Sequence, residues 1–305
     1  MQSCIANRFN YYIKSWKHKQ SVKVPDHAKV FNQNKLLYYT GPDTPPPDGF
    51  PHHYGVWEEM FWWPQGDLGL DIPCLTISAD GINSHGLPVI AKVRYIDDPD
   101  GAIIGPLSYN RHWNAIQHKD GPRTYKGSWK DKRPDCVWRG APTGGVHAEN
   151  ERLVFCSKWR DAFNVGLTGY LRHQLQPVFD PSYLRPSMSI HEMLDYKYII
   201  SIPGNDKDSG LNWKLASNSV VLMAPPKMES WLMEGLLEPW VHYVPLKDDY
   251  SDLDEIVRWC RENDHKCQEI VKNANGFMRQ FENEDIEIAL FRKIKEHYKE
   301  TFTLV

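Results

Sequence analysis

The chain has 305 residues, 41% apolar and 25% charged, with a formal net charge of −3. This is the composition of a globular protein with a substantial core, and the near balance of charge excludes nucleic acid or an anionic membrane surface as a polyelectrolyte partner. The six scattered cysteines form no Cys-x-x-Cys pair, which excludes a disulfide scaffold and a zinc module, and no apolar run of about 18 residues exists to span a bilayer.

The N-terminal stretch MQSCIANRFNYYIKSWKHKQ is mildly basic and lacks an apolar h-region, so a complete chain is expected in the cytoplasm. Residues 1–40 read as a polar, partly helical leader. The segment GPDTPPPDGFPH (41–52) is a Pro-rich breaker, followed by the aromatics Trp57, Phe61, Trp62 and Trp63. DIPCLTIS (71–78) and LPVIAKVRYI (87–96) have the β-branched, apolar character of strands. Residues 97–130 read mostly as loop with one short helix.

From Asp135 onward the rhythm is regular. CVWRGA, FNVGLTG, KYIISIPG, VVLMA and WVHYVPL read as strands. HAENERLVFCSKWRDA, SIHEMLDY, SGLNWKLASNS, SWLMEGLLEP, DLDEIVRWCREND and KCQEIVKNANGFMRQF read as helices, and EDIEIALFRKIKEHYKET as a terminal amphipathic helix. Strand and helix alternating at this spacing predict βαβ units and a parallel sheet, with ligands at the carboxyl ends of its strands.

Three places have residues suited to chemistry. In WRGAPTGG (138–145) a strand ends in a Gly- and Thr-containing turn, whose backbone N–H groups and Arg139 suit a phosphate or serve as a plain surface turn. In IPGNDKDSGLNWKLASNSVVLM (202–223) a polar loop carrying Asn205, Asp206, Lys207, Asp208 and Ser209, with Lys214 behind it, is placed to meet a diphosphate or to be a solvated loop. In YIDDPDG (95–101), Asp97, Asp98 and Asp100 follow a strand. They suit a general base, a D-x-D metal site, or a turn rich in Asp, Pro and Gly. The histidines show no metal spacing, and hydrolase, metalloprotease and P-loop signatures are absent.

The C-terminal half resembles glycosyltransferase family 90, which includes capsule-associated xylosyltransferases and protein O-glucosyltransferases. The likeness is carried by DYKYIISIPG, SNSVVLM and ESWLMEGLLEPWVHYVPLKDDYSDLDEIVRWCREND, with WRGAPTG and Arg152 upstream. GLNWKLASNSVV and NANGFM are similar to a variant branch of algae and large algal viruses. The resemblance implies an α/β GT-B fold of two Rossmann-like domains with a cleft between them. Residues 1–130 would form the acceptor side and 131–284 the nucleotide-sugar side, with 285–305 a terminal helix returning to the first domain.

The resemblance further implies transfer of xylose or glucose, with inversion and without an essential metal or other cofactor, from a UDP-sugar to a hydroxyl of a glycan or glycoprotein. Counting from Leu87-Pro88-Val89, the family's base falls on Asp100, with Asp98 the near alternative and Asp80 the next. Donor-binding positions fall on Arg139, Gly140, Thr143, Arg152, Gly204 and Ser219, and the polar loop itself adds Ser209. The family's helical arginine falls on Gly210, which leaves Lys207 or Lys214 to supply the charge. A metal-dependent D-x-D transferase and an inactive carbohydrate-binding relative are the competing readings.

Overall fold

The computed structural model describes residues 2–26, 28–30, 36–38, 74–76, 84–105, 116, 121–144, 150–169 and 180–305. The Pro-rich segment, the aromatic cluster at 57–63, Asp80 and His147 lie outside the described residues. Contacts divide the chain into two compact units. One is Met1–His112 with Lys227–Gly235 and Gln280–Val305; the other is Trp113–Pro226 with Leu236–Arg279.

The second unit is mixed α/β and is built on a parallel sheet of five strands. In chain order these are β1 Arg133–Gly140, β2 Asn164–Leu167, β3 Tyr196–Ile200, β4 Val220–Met223 and β5 Val244–Pro245. Their spatial order is β2-β1-β3-β4-β5, and the pairings Val137 with Asn164, Cys136 with Tyr198, Tyr198 with Val220 and Leu222 with Val244 fix the register. The strands are short apolar runs because both faces are covered. Trp138, Val165, Tyr198, Ile200, Val220, Leu222 and Val244 are all buried, packed with Phe155 and Cys156 and with Leu253, Val257, Cys260, Cys267 and Ile270. Each such side chain contributes roughly 1.5–3 kcal/mol by leaving water.

Two helices of the second unit begin where a side chain caps them. Asn150 accepts the N–H groups of Arg152 and Leu153, so the helix over the β1–β2 crossover is Glu151–Trp159. Ser189 and Glu192 form a capping box at the head of Ile190–Leu194. The helix expected over 209–219 is only Leu211–Leu215. Beyond it Ser217 Oγ donates to Lys214 O (2.7 Å) and accepts Ser219 N–H (3.1 Å), while Asn275 donates to the carbonyls of Leu215 (3.2 Å) and Ser217 (2.7 Å). These local side-chain bonds compete with the next helical turn.

The segment expected as a helix over 230–239 is also different. Met228–Glu229 is a strand antiparallel to Arg94–Tyr95, followed by a 3-10 turn at Glu234–Leu236. Trp231, Leu232 and Met233 are all buried, and three consecutive buried residues cannot share one helical stripe. The Glu234 carboxylate instead accepts Ser230 N–H (2.6 Å) and Ser230 Oγ–H (2.9 Å).

Lys227–Gly235 belong to the first unit. That unit has a sheet of its own. It runs Lys29–Val30, Leu36–Tyr38, Cys74–Thr76, Ile90–Ala91, Ile103–Ile104 and is parallel except for the first pair. The helix Gln2–Ile13 packs on Glu284–Thr301. Two buried arginines hold the unit. Arg8 pairs with Glu287 and bonds Tyr12 OH (2.9 Å). Arg94 pairs with Glu229 (2.7 Å) and donates to the carbonyls of Tyr11 (2.7 Å), Tyr12 (2.7 Å) and Ala102 (3.0 Å). Among the described residues no helix is long and apolar enough to cross a membrane.

At the amino ends of the second unit's strands, Lys132 is buried and donates to Leu194 O and to Ser219 Oγ (2.8 Å). Burial lowers its pKa to about 7, against a small opposing pull from Asp195. Above that value the folded chain lacks a proton that the unfolded chain keeps up to about pH 10. Stability from this group therefore rises with pH across that interval. Buried thiols such as Cys74, whose pKa burial raises, act in the opposite direction, so the measurement is a difference. Thermal melts of the natural chain relative to Lys132→Met are expected to gain roughly 3–4 kcal/mol between about pH 7 and 10.

Candidate functional site

The strand order reverses between β1 and β3. The connection from β1 leads to β2 on one side, while β3 leads to β4 on the other, so the loops after β1 and β3 part at the carboxyl end of the sheet. Such a switch point is where open α/β sheets bind ligands. The two loops are Gly140–Gly144 and Ser201–Gly210, and they touch at their backbones. A Cβ on Gly204 would lie 2.7 Å from Thr143 Oγ1 and 3.1 Å from Arg152 Nη2, and one on Gly144 would lie 3.3 Å from Gly204 O. Gly144 also has a φ of +107°, open to glycine. Its N–H donates to Asn205 Oδ1 (2.9 Å).

Arg152 ties the loops together from below. It stands on the first turn of Glu151–Trp159 and its guanidinium points back under the strand ends. Nη1 donates to Ala141 O (2.9 Å) and Thr143 Oγ1 (2.6 Å), Nη2 to Ile202 O (2.9 Å) and Nε to Pro203 O (2.9 Å). The group lies 5.6 Å from the Trp138 ring centre. Burial lowers its pKa, with Asp208, Tyr250 and Asp206 pulling the other way, and a guanidinium remains charged regardless. The site thus has a buried cation beneath two glycine-bearing loops, an arrangement suited to an anionic ligand.

The β3 loop is shaped by a second polar cluster. Lys214 pairs with Asp208 and donates to Ile200 O (3.0 Å), while Asp208 also accepts Ser201 Oγ–H (2.6 Å) and Gly210 N–H (2.8 Å). Burial works to raise the Asp208 pKa, but Lys214, Ser201 and the Gly210 N–H more than offset it, and the net shift is downward. Burial likewise lowers Lys214, partly restored by Asp208. Lys214 is therefore matched by a carboxylate. Lys207 is buried within the loop and Ser209 is exposed. A Cβ on Gly210 would lie 2.8 Å from Trp213 Nε1, so the indole occupies the space a longer side chain at 210 would need.

Of the positions singled out in the sequence, Gly140, Thr143, Arg152, Gly204, Lys207, Ser209 and Lys214 come together at this end of the sheet. Two do not take the expected place. Arg139 points into the protein: it donates to Pro186 O (2.9 Å), Trp138 O (2.9 Å), Asn164 O (2.9 Å) and Asn164 Oδ1 (2.7 Å), which braces the edge strand β2. Ser219 precedes β4 and so lies at the opposite, amino-terminal end, buried and donating to Tyr196 O (2.7 Å).

Asp98 and Asp100 belong to the first unit, and their turn differs from the expected one. The strand read over 87–96 is broken into Ile90–Ala91 and Arg94–Tyr95. Because Ile90–Ala91 pairs in parallel with Ile103–Ile104, the turn before Ile103 lies on the amino-terminal side of that pair, not past a carboxyl end. Asp98 Oδ1 accepts Asp100 N–H (3.0 Å) and its carbonyl accepts Lys14. The Asp100 carboxylate is exposed and takes a long bond from Ser15 (3.3 Å), while its carbonyl is anchored by Ser84 (2.8 Å).

Several supporting residues were not singled out. Asn150 donates to Thr143 O (3.0 Å) while capping its helix; an Asn followed by Glu-Arg-Leu is a legible start signal. Tyr250, in the block PLKDDYSDL after β5, adopts a φ of +54° and is buried. Its ring lies edge-on to Phe155 at 5.4 Å and its hydroxyl donates to Glu151 (3.1 Å). That contact links the loop after β5 to the helix carrying Arg152.

A family model for glycosyl transferase family 90 matches residues 109–301. The chain is 36% identical over 205 residues to O-glucosyltransferase LpsA of Dichelobacter nodosus, covering 66% of this chain and 59% of that protein. It is 34% identical over 186 residues to protein 179R of Invertebrate iridescent virus 6 (50% and 16%), and 31% identical over 168 residues to human protein O-glucosyltransferase 3 (54% and 31%). The chain thus spans less than two thirds of the length of each of these relatives. With more than half of its residues inside the family match, the chain belongs to glycosyl transferase family 90.

Proposed function

We propose that the chain is an inverting glycosyltransferase of GT-B type that transfers glucose or xylose from a UDP-sugar to a hydroxyl of a glycan or glycoprotein. Two of the relatives are named O-glucosyltransferases, which favours glucose. The carrying observation is the pair of loops after β1 and β3, held at backbone contact by Arg152. In this reading the diphosphate lies against Gly140–Gly144 and Gly204–Ser209. Backbone N–H groups and Lys207 meet its charge directly, while Arg152 acts through the loops it fixes.

Attack forms the bond from the acceptor oxygen to the anomeric carbon as the bond to the diphosphate oxygen breaks. The electron pair leaves on UDP, and the acceptor proton passes to a carboxylate. We assign that base to the turn Asp97–Gly101, Asp100 first and Asp98 second. Cations and N–H donors take the leaving charge, so no metal is required in this reading. UDP release from UDP-glucose and from UDP-xylose, measured with and without EDTA, is the test. Turnover that persists in EDTA supports the reading; loss in EDTA with rescue by manganese favours the D-x-D alternative, and no release from either donor favours a binding-only relative.

A further inference from the structure

We propose that a second carbohydrate site, separate from the strand-end loops, is built on Trp240 and that it stacks a neutral pyranose ring. Trp240 lies before β5 Val244–Pro245, at the amino-terminal side of that strand, whereas the donor loops lie at carboxyl ends. It is 46% exposed and sits at a φ of +65°, a backbone region that bulky residues rarely enter. The turn around it fixes that conformation. Trp240 N–H donates to Tyr243 O (2.8 Å), His242 N–H to Glu238 O (2.9 Å), and Glu238 N–H to His242 Nδ1 (3.0 Å). A strained backbone that holds a large apolar ring toward water is a feature that points to a ligand.

The surroundings say which ligand. The Trp240 ring meets Trp259 at 4.6 Å and 66°, and the Lys266 ammonium lies 5.8 Å from the Trp259 ring centre. Together with Glu269, Ile270 and Asn273, these residues line a cavity of about 320 Å³. Lys266, Glu269, Ile270 and Asn273 recur at helical spacing along Asp264–Met278 and so share one face. The exposed Trp240 indole, backed by Trp259, offers an apolar surface to the C–H side of a sugar. An amide, a carboxylate and an ammonium offer acceptors and donors to its hydroxyls. Lys266 and Glu269 cancel in charge, which favours a neutral sugar over an acidic one. An apolar peptide side chain would instead cover these polar groups without replacing their water.

The test uses the full chain and methyl β-glucopyranoside, methyl β-xylopyranoside and maltose as probes, read by saturation-transfer NMR. Trp240→Gly is the informative variant, because glycine suits the left-handed backbone and removes only the ring. The natural chain is expected to transfer saturation to the sugar C–H protons. Trp240→Gly is expected to weaken binding by about tenfold or more with a melting temperature equal to or above that of the natural chain. Glu269→Gln and Asn273→Ala, which leave the turn untouched, are expected to weaken binding by about threefold to tenfold. UDP affinity should be unchanged in all three, which separates this site from the donor site. The proposal is overturned if none of the probes binds the natural chain, if binding persists at full strength in Trp240→Gly, or if a leucine-rich hexapeptide binds there and displaces the sugars.

Discussion

Asp100→Asn is expected to lower turnover about a hundred- to ten-thousand-fold, the usual contribution of a general base, with UDP-sugar affinity unchanged. An acceptor hydroxyl attacks well only as its proton is taken, and asparagine retains the shape of the side chain but accepts no proton. Asp100 is the freer of the two candidates, being exposed with a long contact to Ser15. Asp98 shapes the turn: its carboxylate receives Asp100 N–H and its carbonyl receives Lys14. Asp98→Asn keeps an oxygen in that position and is expected to change turnover less than tenfold or so. Single-turnover kinetics with saturating donor checks both. Normal turnover in Asp100→Asn together with loss in Asp98→Asn would move the base by two residues, and normal turnover in both would remove this turn from the mechanism.

Arg152→Ala is expected to destabilise the second unit by about 3–4 kcal/mol and to abolish UDP binding at concentrations that saturate the natural chain. Three backbone carbonyls and one hydroxyl receive its N–H groups. Without the guanidinium those buried acceptors lack partners and the two loops lose their common anchor. Arg152→Lys keeps the charge but not the fork that reaches both loops. It is expected to recover part of the stability and little of the affinity, in denaturant titration and calorimetric UDP binding respectively. Affinity fully restored by lysine would show that charge alone matters, and the loop-anchoring account would fail.

The five-stranded sheet was legible because its strands are brief apolar runs bounded by Gly, Pro or Asn, and a helix follows every strand but β4. The meeting of the loops after β1 and β3 was legible at Thr143 and Gly204, which stand in turns at strand ends, whereas Arg152 follows from the family resemblance alone. Arg139 shows the limit. An arginine at the end of a strand reads the same whether it faces a ligand or the carbonyl and amide oxygens of Asn164. Ser219 shows another: the helix read over 209–219 stops at Leu215, and Ser219 stands before β4 at the amino-terminal end of the sheet. The segment Ser230–Pro239 read as a helix from local propensity. Its actual form is set by a strand partner at Arg94–Tyr95, more than a hundred residues earlier in the chain.

The first unit is assembled from three separated stretches of chain, and this has a consequence for how the protein is made. Strand Gln20–Val22 pairs with Phe302–Leu304, and Arg8 finds its counter-charge at Glu287. A growing polypeptide emerging from the ribosome therefore carries its first hundred residues without their closing partners while some two hundred more are translated. Residues 113–226 bring four strands of the second sheet together as soon as they emerge, just as residues 29–104 hold all five strands of the first. Vectorial synthesis then lets both sheets form early, while Arg8 and strand Gln20–Val22 wait for residues 280–305 to complete the first unit.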